Sequence, residues 1–268
     1  MQVRRRPAAV VTSGGTYVVV VGALVTLWQL AIAVGWVSPA ALAAPSEVPG
    51  GLARLVEGGT FLRHDLSATV HRTLVGVAIG YPAGVAVAAG IVAAGAAAPA
   101  ATRTLDFVRS IPITAMLPIF ITLFGLGDLS KVAIGALSAG TVTAVAALEG
   151  LRASFARFGP LLHLYEPSRV DRWLRIGLPH AAPALFAGLR LAVSSALVLV
   201  VVAEMFIGTR HGVGKVINDL TYTDDRPQQV AAILVIGMVG FGLNVAVDRL
   251  ARLVMRRVVR VEAATAHR

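Results

Sequence analysis

Apolar residues run in long blocks separated by short links rich in glycine, proline or charge. The blocks cover residues 16–37, 67–95, 111–126, 132–148, 181–207 and 230–250. About 20 apolar residues in a helix cross a ~30 Å hydrocarbon core. The pattern therefore predicts an all-α membrane protein with six spans. The second block is long enough to tilt and carries Gly80, Pro82 and Gly84, which predicts a kink. The third begins between Pro112 and Pro118, so an irregular start is expected there, with free backbone groups and Thr114 facing a cavity. Gly76, Gly80, Gly84 and Gly90 recur along the second block, and small residues let helix backbones approach closely in lipid.

The longest interruption lies between the fourth and fifth blocks. Residues 149–180 hold Arg152, Arg157, Arg169, Arg172 and Arg175 together with Phe155, Phe158, Leu161, Leu162, Leu164 and Tyr165. Apolar anchors among basic residues are typical of interface hot spots. This polar loop, read as 150–180, is the place where a soluble partner can take hold. On this reading a basic N-terminus (1–15), a six-span body (16–250) and a basic tail (251–268) complete the chain.

Composition agrees with the pattern. The chain is 56% hydrophobic and 14% charged, with a mean hydropathy of +0.77; soluble domains carry about 25% charged residues. The net charge of +10 needs no nucleic acid to explain it, because arginines anchor the cytoplasmic side of membrane proteins. Of the 24 Lys and Arg, 16 fall on the side that holds both termini and the large loop, and 7 on the other. That asymmetry places the termini and the loop in the cytoplasm. Arg4, Arg5 and Arg6 ahead of the first block resemble the start of a signal peptide, but the block is long and no small-residue cleavage site follows, so it reads as a retained span.

Catalytic chemistry finds no foothold. There is no cysteine, hence no disulfide framework or nucleophilic thiol. The six histidines include no pair spaced for a helical metal site. The stretch 209–215 lacks the first glycine of a phosphate loop, and Val216 stands where a magnesium-holding hydroxyl belongs. Asp224 and Asp225 read as capping or solvated residues. In the fifth block, Arg190, Ser194, Leu197, Val201 and Glu204 share one helical stripe. Ionisable residues within a span usually face protein or a water-filled path, so the stripe and Thr114 are the candidate lining of a translocation path. The fourteen residues between Arg190 and Glu204 span roughly 21 Å, too far for the two to pair. Ser138, Thr141 and Thr143 add hydroxyls that can instead bond to their own helix.

Several segments, in this order and spacing, resemble the membrane subunit of a bacterial ABC importer of the nitrate, sulfonate and taurine group. They are Leu42-Ala-Ala-Pro-Ser-Glu-Val48, Thr69-Val-His-Arg-Thr-Leu-Val-Gly76, and Arg109-Ser-Ile-Pro-Ile-Thr-Ala-Met-Leu-Pro118 followed by Phe124-Gly-Leu-Gly-Asp-Leu-Ser-Lys131. Gly188-Leu-Arg-Leu191, Val201-Val-Ala-Glu-Met205 and Gly212-Val-Gly214 complete the set. The family's cytoplasmic signature begins Glu-Ala-Ala, has a glycine six residues after the Glu, and closes on Leu-Pro. Leu178-Pro179 match its end and Ser168-Arg169 its middle, while Pro160 stands for the Glu and Glu166 for the glycine.

The resemblance implies a six-helix transmembrane domain of the type I importer kind, with a short coupling helix between the fourth and fifth spans. Phe158, Leu161, Leu162, Tyr165, Glu166, Ser168 and Arg169 would then meet the ATPase. It further implies a multi-pass protein of the bacterial inner membrane. Its partners would be an ATPase dimer that binds ATP and magnesium, a second permease subunit (the same chain or a sister), and an extracytoplasmic solute-binding protein. The implied cargo is a small anion, sulfonate or related organic acid. An ion-coupled secondary transporter would need internal repeats and a mid-membrane carboxylate; a membrane scaffold or sensor would need neither a polar stripe nor an ATPase.

Overall fold

In the computed structural model, which describes residues 14–165 and 168–265, all regular structure is helical. Helix α1 (Gly14–Ala33) stands apart, with Val18, Leu24 and Leu27 exposed. It touches the chain mainly at a 3-10 turn, Pro45–Glu47, where the Ser46 amide donates to Gln29 Oε1 at 3.2 Å. Helix α2 (Val48–Val56) packs on the start of the last helix; a side chain at Gly51 would strike the backbone of Pro227. A π-helical turn, Phe61–Leu66, then leads into α3 (Ser67–Ala93), which passes Pro82 without a break.

The expected third span, 111–126, holds one short helix, and a second helix fills most of the link expected before it. Helix α4 (Ala98–Ser110) and helix α5 (Leu117–Phe124) belong to consecutive segments that meet at 76°, joined by extended Ile111 and Pro112 and one 3-10 turn, Ile113–Met116. Pro112 cannot donate to a helix ladder and holds Ile111 out of the helical region. Thr114 sits exposed in that turn, so the irregular start is as the prolines predict.

Helix α6 (Asp128–Tyr165) has 38 residues and continues far beyond the expected end at 148. After a one-turn helix α7 (Arg169–Asp171) and a π-helical turn (Arg172–Gly177), helix α8 runs from Leu178 to Ile207. The expected thirty-residue loop is therefore mostly helix. Leu148, Leu151, Phe155 and Phe158 recur every three or four residues and give this part of α6 an apolar face toward α8. Helix α9 (Val213–Tyr222) and helix α10 (Arg226–Thr265) close the chain.

Helices α3, α6 and α8 form the centre, with α10 and α9 layered on α8 and α2 on α10. Close approach is the organising device. On α3, a side chain at Gly80 would collide with the Ala136 carbonyl, and one at Gly84 with the Gly140 carbonyl. On the other flank of α6, a Cβ at Gly188 would lie 2.9 Å from that of Ala146. Without a hydrophobic force between helices in lipid, such backbone contact supplies the association. Gly90, grouped with the others in sequence, has nothing within 4 Å.

Among the described residues, four helical segments are long and apolar enough to cross a membrane, or five if the bent pair counts as one, against the six expected. The apolar part of α1, Val18–Ala33, is shorter than the others.

Candidate functional site

At one end of the central bundle the first turns of α3, the start of α6 and the last turn of α8 converge. Each brings a charge: Arg72, Asp128 and Glu204. The Arg72 guanidinium donates from Nη1 to Glu204 Oε1 at 2.6 Å and to the His211 carbonyl at 2.8 Å. From Nη2 it reaches Asp128 Oδ1 at 2.7 Å and Thr209 Oγ1 at 3.2 Å, and Nε reaches the same Asp128 oxygen at 3.0 Å. The Glu204 side chain is 0% exposed, that of Arg72 5%, and that of Asp128 71%. A buried carboxylate survives only when paired and hydrogen-bonded.

The remaining acceptor capacity of Glu204 is filled by α9. Its N-terminal amides have no partners within their own helix, and the 208–212 turn folds them back onto this cluster. Gly214 N–H donates to Glu204 Oε2 at 3.0 Å, Val213 N–H to Thr69 Oγ1 at 2.9 Å, and Gly212 N–H to Asp65 Oδ1 at 3.0 Å. Thr69 Oγ1 lies 2.8 Å from Glu204 Oε2, within donating distance. The approach demands glycine: a Cβ at Gly212 would sit 2.5 Å from the Glu204 carboxyl carbon. A helix N-terminus and a guanidinium thus meet at one buried carboxyl group. Beside them, fully buried Lys131 donates to the carbonyls of Leu126 and Gly127 at 2.9 and 3.0 Å, fastening the α5–α6 turn.

This cluster, called the charged end below, is saturated. Every Arg72 nitrogen has a partner. No group of His, Asp and Glu placed to hold a metal occurs among the described residues. What the arrangement does is fasten three helices and a loop to one another. Sequence reasoning singled out Glu204 but missed Arg72 and Thr69 as its partners and Asp128 as the second carboxylate on Arg72. The signal was present: Arg72 and Glu204 are isolated charges set at the same end of two apolar blocks.

The stripe on α8 meets partners in register along α10. Arg190 forms an ion pair with Asp248 at 3.2 Å, with side chains 53% and 35% exposed. One turn on, Ser194 Oγ accepts from Asn244 Nδ2 at 2.8 Å. Leu197 is buried against α10, where a Cβ at Gly240 would lie 2.9 Å from it. Val201 packs toward α9, and Glu204 ends the stripe at the charged end. Within this subunit α10 and α9 thus cover most of the stripe, while Arg190 and Thr114 keep open faces. Thr141 donates to the Leu137 carbonyl of its own helix at 2.7 Å; Thr143 is buried without a hydrogen-bond partner.

The opposite end, the hairpin end, uses other means. The final turns of α6 lie against the π turn and the start of α8. Ser154 Oγ donates to the Ile176 carbonyl at 3.1 Å. The Phe155 ring meets Trp173 edge-on at 5.0 Å, and Arg172 lies over that ring at 5.2 Å. Phe158 stacks obliquely on His180 at 4.2 Å. Ser168 caps α7, accepting from the Asp171 amide at 3.1 Å. Of the residues expected to meet an ATPase, Leu161, Leu162 and Tyr165 fall on the last turns of α6, Arg169 opens α7, and Glu166 lies outside the described residues.

Comparison with known proteins fits this architecture. Residues 80–260 match the family described as binding-protein-dependent transport system inner membrane component. The aliphatic sulfonates transport permease protein SsuC of Bacillus subtilis is 27% identical over 224 residues, 81% of this chain and 78% of its own. The taurine transport system permease protein TauC of Escherichia coli is 27% identical over 238 residues, 85% and 84% of the two chains. Among solved structures, an amino acid ABC transporter crystallised with histidines superposes with a TM-score of 0.58 at 17% identity. That match covers 77% of this chain and 97% of the other.

Proposed function

The chain belongs to the binding-protein-dependent transport inner-membrane family, among permeases related to those for sulfonates, nitrate and taurine, and on that premise we propose a division of labour between its two ends. It is a multi-pass inner-membrane protein, and the permease component of such importers is non-catalytic. The hairpin end is the ATPase-docking lever, and the chain forms half of a translocation path with a second permease subunit. ATP and magnesium are held by the partner ATPase. A secreted binding protein delivers the solute, for which the relatives favour a small anion, sulfonate or related organic acid.

One observation carries this reading. Helix α6 and the segment Arg172–Ile207 have 38 and 36 residues, about 55 Å each, against a ~30 Å hydrocarbon core. Both are pinned to the same Arg72 at the charged end, so both overrun the membrane at the hairpin end. The arginine distribution supports placing that end inside. Phe155, Trp173 and the Ser154 bond join the two overhangs into one stiff element. A push on its tip then reaches the close-packed α6–α8 contact, and nucleotide states that favour different tip positions shift the bundle between arrangements. Of the expected path residues, Arg190 and Thr114 remain the open candidates.

The test is assembly with the ATPase. The wild-type chain is expected to co-purify with it, and loaded binding protein to stimulate hydrolysis. Phe158→Ala should weaken association about 5- to 30-fold, about 1–2 kcal/mol for a contributing interface side chain, while the purified chain stays folded. A chain that transports its solute without any ATPase would replace this reading with an ion-coupled transporter.

A further inference from the structure

The bent pair α4–α5 is held unevenly. Helix α5 is anchored: Leu117 is buried in one cluster with Ile134, Ala203 and Ile207. Helix α4 buries none of its residues. Its first half still touches the core, where Ala101 and Leu105 lie against the cluster of Ile91, Leu148 and Leu151. Its second half stands away, with Phe107 70% and Val108 43% exposed.

Between that raised half and the α3–α6 crease lies a cavity of about 660 Å³. Small residues form its floor: Gly80, Ala83 and Gly84 from α3, Ala136 and Gly140 from α6. The facing side of α4 is apolar, with Ala101, Leu105 and Val108 at helical spacing. Both hydroxyls in the lining spend their protons within their own helices, Thr104 and Thr141 donating at 3.1 and 2.7 Å. A ridge of medium-sized side chains thus hangs over a groove of small ones with nothing polar between them.

Two features make this geometry movable. The α4–α5 joint consists of extended Ile111 and Pro112 and a 3-10 turn, with no continuous helical ladder to resist a change of angle. At the base of α4, the Arg152 guanidinium donates to Thr102 Oγ1 at 2.5 Å. Arg152 lies on α6 close to the aromatic contacts of the hairpin end, so the base of α4 is tied to the lever.

We propose that α4 is a lid. It pivots on Ala101 and Leu105, flexes at Ile111–Pro112, and swings Val108 into the α3–α6 crease to empty the cavity. Arg152 and Thr102 pass the hairpin's position to it. That last step rests on the lever reading above; the pivot itself does not.

The chain contains no cysteine, so spin labels can be placed without background substitutions. Full-length protein carrying Ala83→Cys and Val108→Cys is labelled in lipid bilayers without any partner and its distance distribution measured. Two resolved distances are expected. A control pair, Ile79→Cys with Leu137→Cys, spans only the α3–α6 crease and should give one. Adding Thr102→Val should shift the ratio of the two Ala83–Val108 populations by about 2- to 10-fold, the weight of one hydrogen bond. Should the Ala83–Val108 pair misfold, Phe107→Cys replaces Val108→Cys. A single distance across the cavity, no broader than the control, overturns the lid. Two distances with a ratio indifferent to Thr102→Val overturn the tie to the lever. Neither result bears on whether the ATPase docks.

Discussion

The same two helices, α6 and α8, are held by opposite means at their two ends. At the charged end a buried guanidinium takes a carboxylate from each, and α9 adds the Gly214 amide to one of them. At the hairpin end the contact is made by rings, one serine–carbonyl bond and exposed arginines. Buried ion networks are all-or-none, because removing one member strands the others. Aromatic and stacked contacts are individually weaker, and losing one does not strand the rest. The difference teaches which end can act as a fixed point and which can be pushed.

The most severe way to break that contrast is to remove the fixed point. Glu204→Ala leaves Arg72 with half its charge balance and strands the Gly214 amide and the Thr69 hydroxyl. A loss of about 3–5 kcal/mol is expected, read as a large drop in melting temperature and in monodisperse yield in detergent. Glu204→Gln keeps the acceptor for Gly214 and should recover part of it. Equal melting of wild type and Glu204→Ala would mean that the charged end anchors nothing.

A middle-sized effect tests what joins the ends. Gly80→Ala drives a methyl group into the Ala136 carbonyl, and since backbone cannot step aside the helices must separate, costing about 1–3 kcal/mol. Gly90→Ala, on the same helix, meets nothing within 4 Å and should be neutral or stabilising by up to about 1 kcal/mol through helix propensity. The pair of melting curves separates glycine used for contact from glycine present by composition. Similar shifts in both would remove the crease as the conduit between the two ends.

Much of this was legible in the residues. The apolar blocks located the long helices, the proline pair announced the irregular stretch before α5, and the Gly76–Gly80–Gly84 spacing marked the α3 face that meets α6, while α4 was hidden in what read as a link. The stripe from Arg190 to Glu204 was correctly one face of a helix. Its partners were invisible, because Asp248, Asn244 and Gly240 lie on a helix some fifty residues on and hydropathy does not report register. The charged end escaped for a similar reason. Arg72 read as a residue at the outer end of its span, since nothing local says that a carboxylate from another helix will meet it. The loop was misjudged because charge density outweighed periodicity: residues 149–165 look polar, yet their apolar positions repeat at helical spacing.

The smallest expected effect sharpens the comparison most, because it repeats the chemistry of the charged end without the burial. Asp225 accepts from Arg54 Nη2 at 3.0 Å and, as the cap of α10, from the Gln228 amide at 3.1 Å. Its partial burial works to raise the carboxyl's pKa, but the Arg54 hydrogen bond, the Gln228 amide and the Arg54 charge outweigh it and hold the group below its ordinary value. A carboxylate depressed on folding adds stability that is fully present above the unfolded value, about 3.9. That contribution is lost as pH falls through the folded value. Asp225→Asn should therefore cost about 0.2–1 kcal/mol at neutral pH, as befits a partly exposed pair. The mutant and wild-type melting temperatures should converge as pH drops below about 4. The same pair of charges thus gives a fraction of the Glu204 effect, and the ratio between them measures how much of the charged end's strength comes from burial and how much from charge alone. A loss at Asp225 as large as that at Glu204 would mean that exposure does not distinguish the two sites, and that the fixed end extends to the protein surface.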